Sequence, residues 1–199
     1  MKNKTIWIIA GIIAVLIPLI LVLCFGIYFN GIEPEEQTAV TTTENGGTVT
    51  GPDSKGICTF SSKYGYSVQY RGEYEPDFSQ SQYDFYVSDD KKTVQSAISV
   101  SKKDGTFDDI TSKEEWDAKM TKFGTSADFK ITDINGSDAI VAHYYANDDS
   151  GTNGADIIIA VIRGETYYYT YYYIASAAAD ETTANHMGAV LMTFIEKAE

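Results

Sequence analysis

Residues 6–29 read IWIIAGIIAVLIPLILVLCFGIYF, a run without a single charge. As an α-helix rising about 1.5 Å per residue it is ~36 Å long, enough to cross a hydrocarbon core of about 30 Å. Lys2 and Lys4 precede it, and Glu33, Glu35 and Glu36 follow. Basic flanks stay on the cytoplasmic side. The expectation is an uncleaved single-pass anchor from Ile6 to Phe29, with residues 1–5 inside and the chain beyond Asn30 outside. A cleaved leader has a shorter apolar stretch and small residues at its cleavage site, whereas this run ends Phe25-Gly26-Ile27-Tyr28. A lipid anchor at Cys24 needs a small residue before the cysteine, and Leu23 stands there. Pro18 reads as a bend within the span, tolerated where neighbouring groups satisfy the freed carbonyl.

All 28 acidic residues lie beyond the run, against 13 basic ones once Lys2 and Lys4 are set aside, leaving a segment of about −15. That argues against nucleic acid and against anionic headgroups, which select basic surfaces. It suits solubility above a membrane or a cationic partner. Cys24 and Cys58 are the only cysteines. One falls in the span and one at the start of the domain, so no disulfide framework is expected, and the absence leans towards a bacterial envelope. Cys58 reads as a small buried hydrophobe, with an intermolecular bridge as the alternative.

Residues 30–55 are rich in Thr, Gly and Glu and lack apolar periodicity. They read as a disordered tether, Thr41-Thr42-Thr43 being plain linker or sugar acceptors. The domain is then 56–199, a size that supports one core. Period-two alternation predicts strands over 64–70, 83–88 and 94–100. Ser112 and Glu115 form a capping box, followed by Trp116, Met120 and Phe123 at helical spacing and by Gly124, which predicts a helix over 111–123. Residues 129–134 and 139–145 flank Asn135-Gly136, a hairpin signal because both tolerate positive φ. The run 157–162 is apolar on both sides, so both its faces are covered, and 166–174 follows as a strand. A last helix is expected over 180–197, with Ala184, Met187, Leu191, Phe194 and Ile195 on one stripe. The order gives an α+β domain: a twisted antiparallel sheet flanked by helices, a three-layer α/β/α sandwich.

Four segments carry a family resemblance: Tyr64-Gly65-Tyr66-Ser67-Val68-Gln69-Tyr70, residues 131–139 (ITDINGSDA), residues 165–171 (ETYYYTY), and the closing Leu191-Met192-Thr193-Phe194. Over residues 57–198 the chain resembles the PsbP-like domains, named for an extrinsic subunit of photosystem II. It departs from them after the first long strand, where Arg71 follows Tyr70 and no Trp lies nearby. The matching segments are structural. The resemblance implies an accessory or binding domain, not an enzyme, and transfers no site residue.

No arrangement of residues points to catalysis, a metal or a cofactor. His143 and His186 are the only histidines, and neither has a second His or Cys at ligand spacing. A Cys58–His143 thiol dyad is conceivable but has no oxyanion device beside it. The loop Asp148 to Asn153 offers oxygen ligands for calcium, yet Ala160 occupies the place of the closing Glu counted from Asp149, and a polar hairpin loop is the plainer reading. Asp108-Asp109 reads as a solvated turn before a helix. Tyrosine is the anomaly, with 15 in all. Alternation sends Tyr167, Tyr169, Tyr171 and Tyr173 to one face of a strand and Tyr168 and Tyr172 to the other. These six either pack a core or form a partner-binding face, since rigid rings give contact area at low entropy cost. The expected function is a membrane-tethered, non-catalytic module that binds a protein or an envelope polymer, with the lipid bilayer as its other partner. The alternatives are an envelope hydrolase or metal-dependent enzyme, and a sensor acting through the anchor.

Overall fold

The computed structural model describes residues 39–146 and 154–197. The expected anchor, Ile6 to Phe29, the tail before it, and the Asp148 to Asn153 loop lie outside the described residues. Among the described residues no helix is long and apolar enough to cross a membrane.

Two antiparallel sheets form the domain. The first has the order β1-β2-β3-β4-β11: β1 Val40–Thr42, β2 Thr48–Thr50, β3 Ile57–Ser61, β4 Tyr66–Arg71 and β11 Ile195–Glu196. The second has the order β5-β6-β10-β9-β8-β7: β5 Phe85–Ser88, β6 Val94–Lys102, β7 Asp128–Ile134, β8 Ser137–Ala146, β9 Ala155–Arg163 and β10 Tyr167–Ala175. Helix α1 spans Lys113–Lys119 and continues as a short 3-10 turn, Thr121–Phe123. Helix α2 spans Glu181–Met192.

The two faces of the second sheet feed two cores. One joins it to the first sheet and α2, through Phe60, Tyr66, Val68, Phe85, Tyr169, Tyr171, Met187 and Phe194. The other lies under α1, where Trp116 is fully buried against Ile140, Tyr144, Ile159 and Tyr168, and its indole N–H donates to the Tyr144 hydroxyl. Strand β9 belongs to both, with Ala160 and Ile162 on one side and Ile159 and Val161 on the other. The expected two-sided strand is therefore present. So is the capping box, with Ser112 accepting from the Glu115 N–H and Glu115 reaching back. The Asn135-Gly136 turn pairs Ile134 with Ser137, and both turn residues have positive φ.

Three expectations are corrected. The arrangement is mostly sheet and is not a clean three-layer sandwich. The first sheet covers the face where a helical layer was expected, and α2 packs against β4, β6 and β10 of both sheets. Its extra strands come from the second correction: residues 40–50 are not a disordered tether but a hairpin zipped onto β3, with Val49 opposite Phe60. The close approach explains Gly47, since a Cβ there would run into the Phe60 ring. Ile57–Ser61 is a further strand that periodicity did not single out. Third, the last helix stops at Met192. The Thr193 hydroxyl lies 2.8 Å from the Val190 carbonyl and accepts from the Gln69 N–H at 2.8 Å, exchanging helix bonds for the edge of β4. Asn135 Nδ2 caps the Met192 and Phe194 carbonyls. Phe194 is buried as expected, but Ile195 pairs with Ser67 and is exposed.

Asp84 ties the sheets together. Its carboxylate accepts from Ser62 Oγ, from the Tyr66 hydroxyl at 2.9 Å and from Asn45 Nδ2 at 3.2 Å, while its N–H donates to the Ile98 carbonyl. Asn45 Nδ2 also reaches the Asp84 carbonyl. One buried side chain therefore fastens the β1–β2 turn, the β3–β4 turn and β4 to the second sheet.

The β10 tyrosines are core. Tyr168, Tyr169, Tyr171 and Tyr173 are buried, and Tyr167 and Tyr172 are half-buried. The Tyr169 hydroxyl donates to the Tyr64 carbonyl at 2.9 Å, that of Tyr171 to the Met187 carbonyl at 3.0 Å, and that of Tyr173 to the Ala184 carbonyl at 3.3 Å. Burial raises the ionisation of Tyr66, Tyr169, Tyr171 and Tyr173 above the ordinary phenol range, with the nearby Asp84 carboxylate adding to the effect at Tyr66 and Glu196 at Tyr169.

Two outcomes follow from this packing. Asp84→Ala leaves the Ser62 and Tyr66 hydroxyls without their acceptor, while Asn45 keeps the backbone carbonyl, and should cost on the order of 3 kcal/mol in denaturant unfolding. Asp84→Asn, which keeps one acceptor, should cost less. An equal, near-zero loss in both would contradict the role given to Asp84. Because the folded state holds its tyrosines neutral, stability is full below about pH 10 and falls as pH rises through the ordinary tyrosine range. In an alkaline titration, phenolate absorbance should rise in two steps, exposed rings first and the buried set only with loss of near-UV circular dichroism. A single step that precedes unfolding would contradict the burial.

Candidate functional site

Of the six tyrosines in β10, four present no surface, so they offer a partner nothing to touch in this fold. The histidines also lie apart. His143 on β8 sits 3.4 Å from Asp156 and stacks near Tyr145. Cys58 on β3 is a buried free thiol whose neighbour is the Tyr70 hydroxyl. Burial holds the thiol above its usual range, which is the opposite of what a nucleophile needs. The Cys58–His143 pairing is thus replaced by separate partners. Asp108 lies on an exposed turn, 3.7 Å from Lys103. Among the described residues no three His, Cys, Asp or Glu side chains form a metal-binding group.

Concave surface gathers instead around the segment after β4. Residues 72–79 leave the sheet at Gly72, whose N–H donates to the Gly56 carbonyl. They then bridge to β5 through Pro76 opposite Val87 and through the Asp77 N–H to the Tyr86 carbonyl, 2.9 Å. The segment arches over the open end of the inter-sheet core. Beneath it lies a groove of about 710 Å³. Its floor is apolar, built from Val49, Cys58, Tyr70, Tyr74 and Phe78, and its rim carries Glu44, Glu73, Glu75 and Asp77.

A second groove of about 520 Å³ shares Glu73 and Tyr74 with the first. It runs between the β5–β6 turn and the start of α2, lined by Asp89, Asp90, Lys91, Asp180 and His186. The two grooves together present seven carboxylates and a single lysine. Hydrogen bonding holds several of these in the charged form. Asp77 is lowered by bonds from Ser79 and Gln80, and Asp180, the N-cap of α2, by bonds from Thr183. At Asp89 partial burial, which alone would raise it, is outweighed by bonds from Val94 and Thr93. Burial raises Tyr74, so its hydroxyl stays protonated.

Such a surface has the parts of a recognition site: an apolar floor with aromatic rings, and fixed negative charge around it. Sequence reading missed it because its lining comes from five separated segments, each an ordinary polar stretch by itself. The only signal in the sequence was the overall acidity of the domain.

The sequence matches no protein-family model and no curated relative. Several solved structures are similar, two of them as follows. A crystal structure of a protein from Bacteroides thetaiotaomicron is 12% identical, with a TM-score of 0.46 over 68% of this chain, and the chain spans 46% of that protein's length. The solution structure of the cyanobacterial PsbP, CyanoP, from Synechocystis sp. PCC 6803 is 13% identical, with a TM-score of 0.57 over 73% of this chain and 95% of that one. At this identity the second likeness speaks to architecture alone, and the domain described here has a PsbP-like fold.

Proposed function

We propose that this protein is a membrane-tethered, extracytoplasmic binding module of a bacterial envelope, without catalytic activity, and that its acid-rimmed double groove receives a cationic partner. The observation that carries the reading is the groove beneath residues 72–79, where apolar floor and carboxylate rim coincide. The apolar run 6–29 with Lys2 and Lys4 before it supports the tether and its orientation. The excess of acidic residues beyond the run supports attraction of positive charge. A tether raises the local concentration of a weak binder at the membrane, so modest affinity suffices. The partner is a protein or an envelope polymer presenting positive charge, and nucleic acid is not among the candidates.

Protease added to intact cells should remove residues 39–197 from the cell surface. Protection of the domain while a known surface protein is digested would overturn the topology. For the site, a fluorescent decalysine peptide serves as probe for the full chain in detergent micelles. Neutralising the rim together, Glu73→Gln, Glu75→Gln and Asp77→Asn, should weaken binding about tenfold. Raising salt from about 0.05 to about 0.5 M should weaken it further in wild type than in the neutralised variant. Equal binding by both proteins at low salt would remove the groove from consideration.

A further inference from the structure

His186 on α2 lines the second groove beside Glu73 and Tyr74, which both grooves share, and its contacts fit one tautomer of its neutral ring. Nε2 lies 3.5 Å from Arg71 Nη2, while Nδ1 lies 3.2 Å from Glu73 Oε1 and 3.4 Å from the Tyr74 hydroxyl. A guanidinium only donates, so in the neutral ring Nε2 is the acceptor and Nδ1 carries the proton towards Glu73. The neutral ring thereby relays between the end of β4 and the segment after it. Adding a proton at Nε2 sets an imidazolium against the Arg71 cation, while the new charge tightens the pairing with Glu73.

The charges around this ring come from every neighbouring element. Arg71 stands at the end of β4, and Glu73 with Tyr74 follows it. Asp180 caps α2 itself, and Asp89, Asp90 and Lys91 face the same groove from the β5–β6 turn. Glu73 is the carboxylate that both grooves share. Carboxylates stay charged between about pH 5.5 and 7.5, an interval in which histidine is the ordinary side chain to change charge.

We propose that His186 is a pH-controlled competitor for Glu73. Neutral, it leaves the grooves at full negative charge for a cationic partner. Protonated, it takes Glu73 as its own counter-ion, repels the Arg71 guanidinium and adds positive charge to the site. A mildly acid environment thus discharges the partner. The regulation rests on the reading of the groove as a cation-binding site, and the experiment separates the two.

The midpoint of each histidine is measured by hydrogen–deuterium exchange at the imidazole carbon, in the full chain in detergent micelles. Glu73→Gln should lower the His186 midpoint by about half a pH unit or more and Arg71→Met should raise it, while His143 moves with neither. Decalysine affinity is then compared at about pH 7.5 and 5.5. Wild type and His143→Gln should weaken about fivefold or more on acidification, and His186→Gln, which keeps a neutral donor and acceptor, should hold nearly constant. A His186 midpoint indifferent to both neighbours overturns the relay. Equal acid weakening in wild type and His186→Gln overturns the competition and leaves the groove standing. No decalysine binding at about pH 7.5 overturns the groove reading and this proposal with it.

Discussion

The structure depends on one strand having two buried faces. β10 sits third in the second sheet, and its alternation delivers Tyr169, Tyr171 and Tyr173 to the core shared with the first sheet and Tyr168 to the core under α1. Large rings fill both sides, and the hydroxyls of Tyr169, Tyr171 and Tyr173 reach backbone carbonyls of the β3–β4 turn and of α2. Tyrosine is suited to this because it combines apolar bulk with a polar tip that needs a partner when buried. A phenylalanine strand would pack the same volume but lose these bonds between the elements. The tyrosine run is therefore a structural solution to joining three elements at a distance.

Much of this was legible because it is local. Ser112 with Glu115, Asn135-Gly136, and the apolar run 157–162 each state their conformation within a few residues. The alternation of tyrosines fixed which ring faces which side. What failed was decided by distant residues. Residues 40–50 look like a tether because Val49 is almost their only apolar anchor, and their strand character comes from pairing with β3 and from Asn45 reaching Asp84. Phe194 continues the helical spacing of Met187 and Leu191, so the stripe extrapolates past Met192. The actual stop is set by Gln69, far away in the chain, offering its N–H to Thr193.

The grooves were illegible for the same reason in stronger form. Glu44, Glu73, Asp89 and Asp180 are unremarkable surface acids along the sequence, and they face one another only because the segment 72–79 is pinned to β5. Charge on that segment is held in place by short-range bonds, from Ser79 and Gln80 to Asp77 and from His186 to Glu73, so the rim is organised in the folded chain itself. Preorganised charge of this kind costs a partner little ordering on binding.

The edges of the first sheet have a consequence for how the chain acquires its fold. One edge is β1, at the beginning of the described domain, and the other is β11, near its end. The Thr193–Gln69 bond closes a separation of 124 residues, and Lys197 donates its N–H to the Gly65 carbonyl just beyond β11. A chain emerging from its N-terminal end therefore presents β3 and β4 long before their last partner exists. During that interval β4 has an open edge, the kind of surface that invites pairing with other chains. Residues 193–197 thus fasten the far edge of a sheet begun by residue 40, and they are the last of its strands to be synthesised.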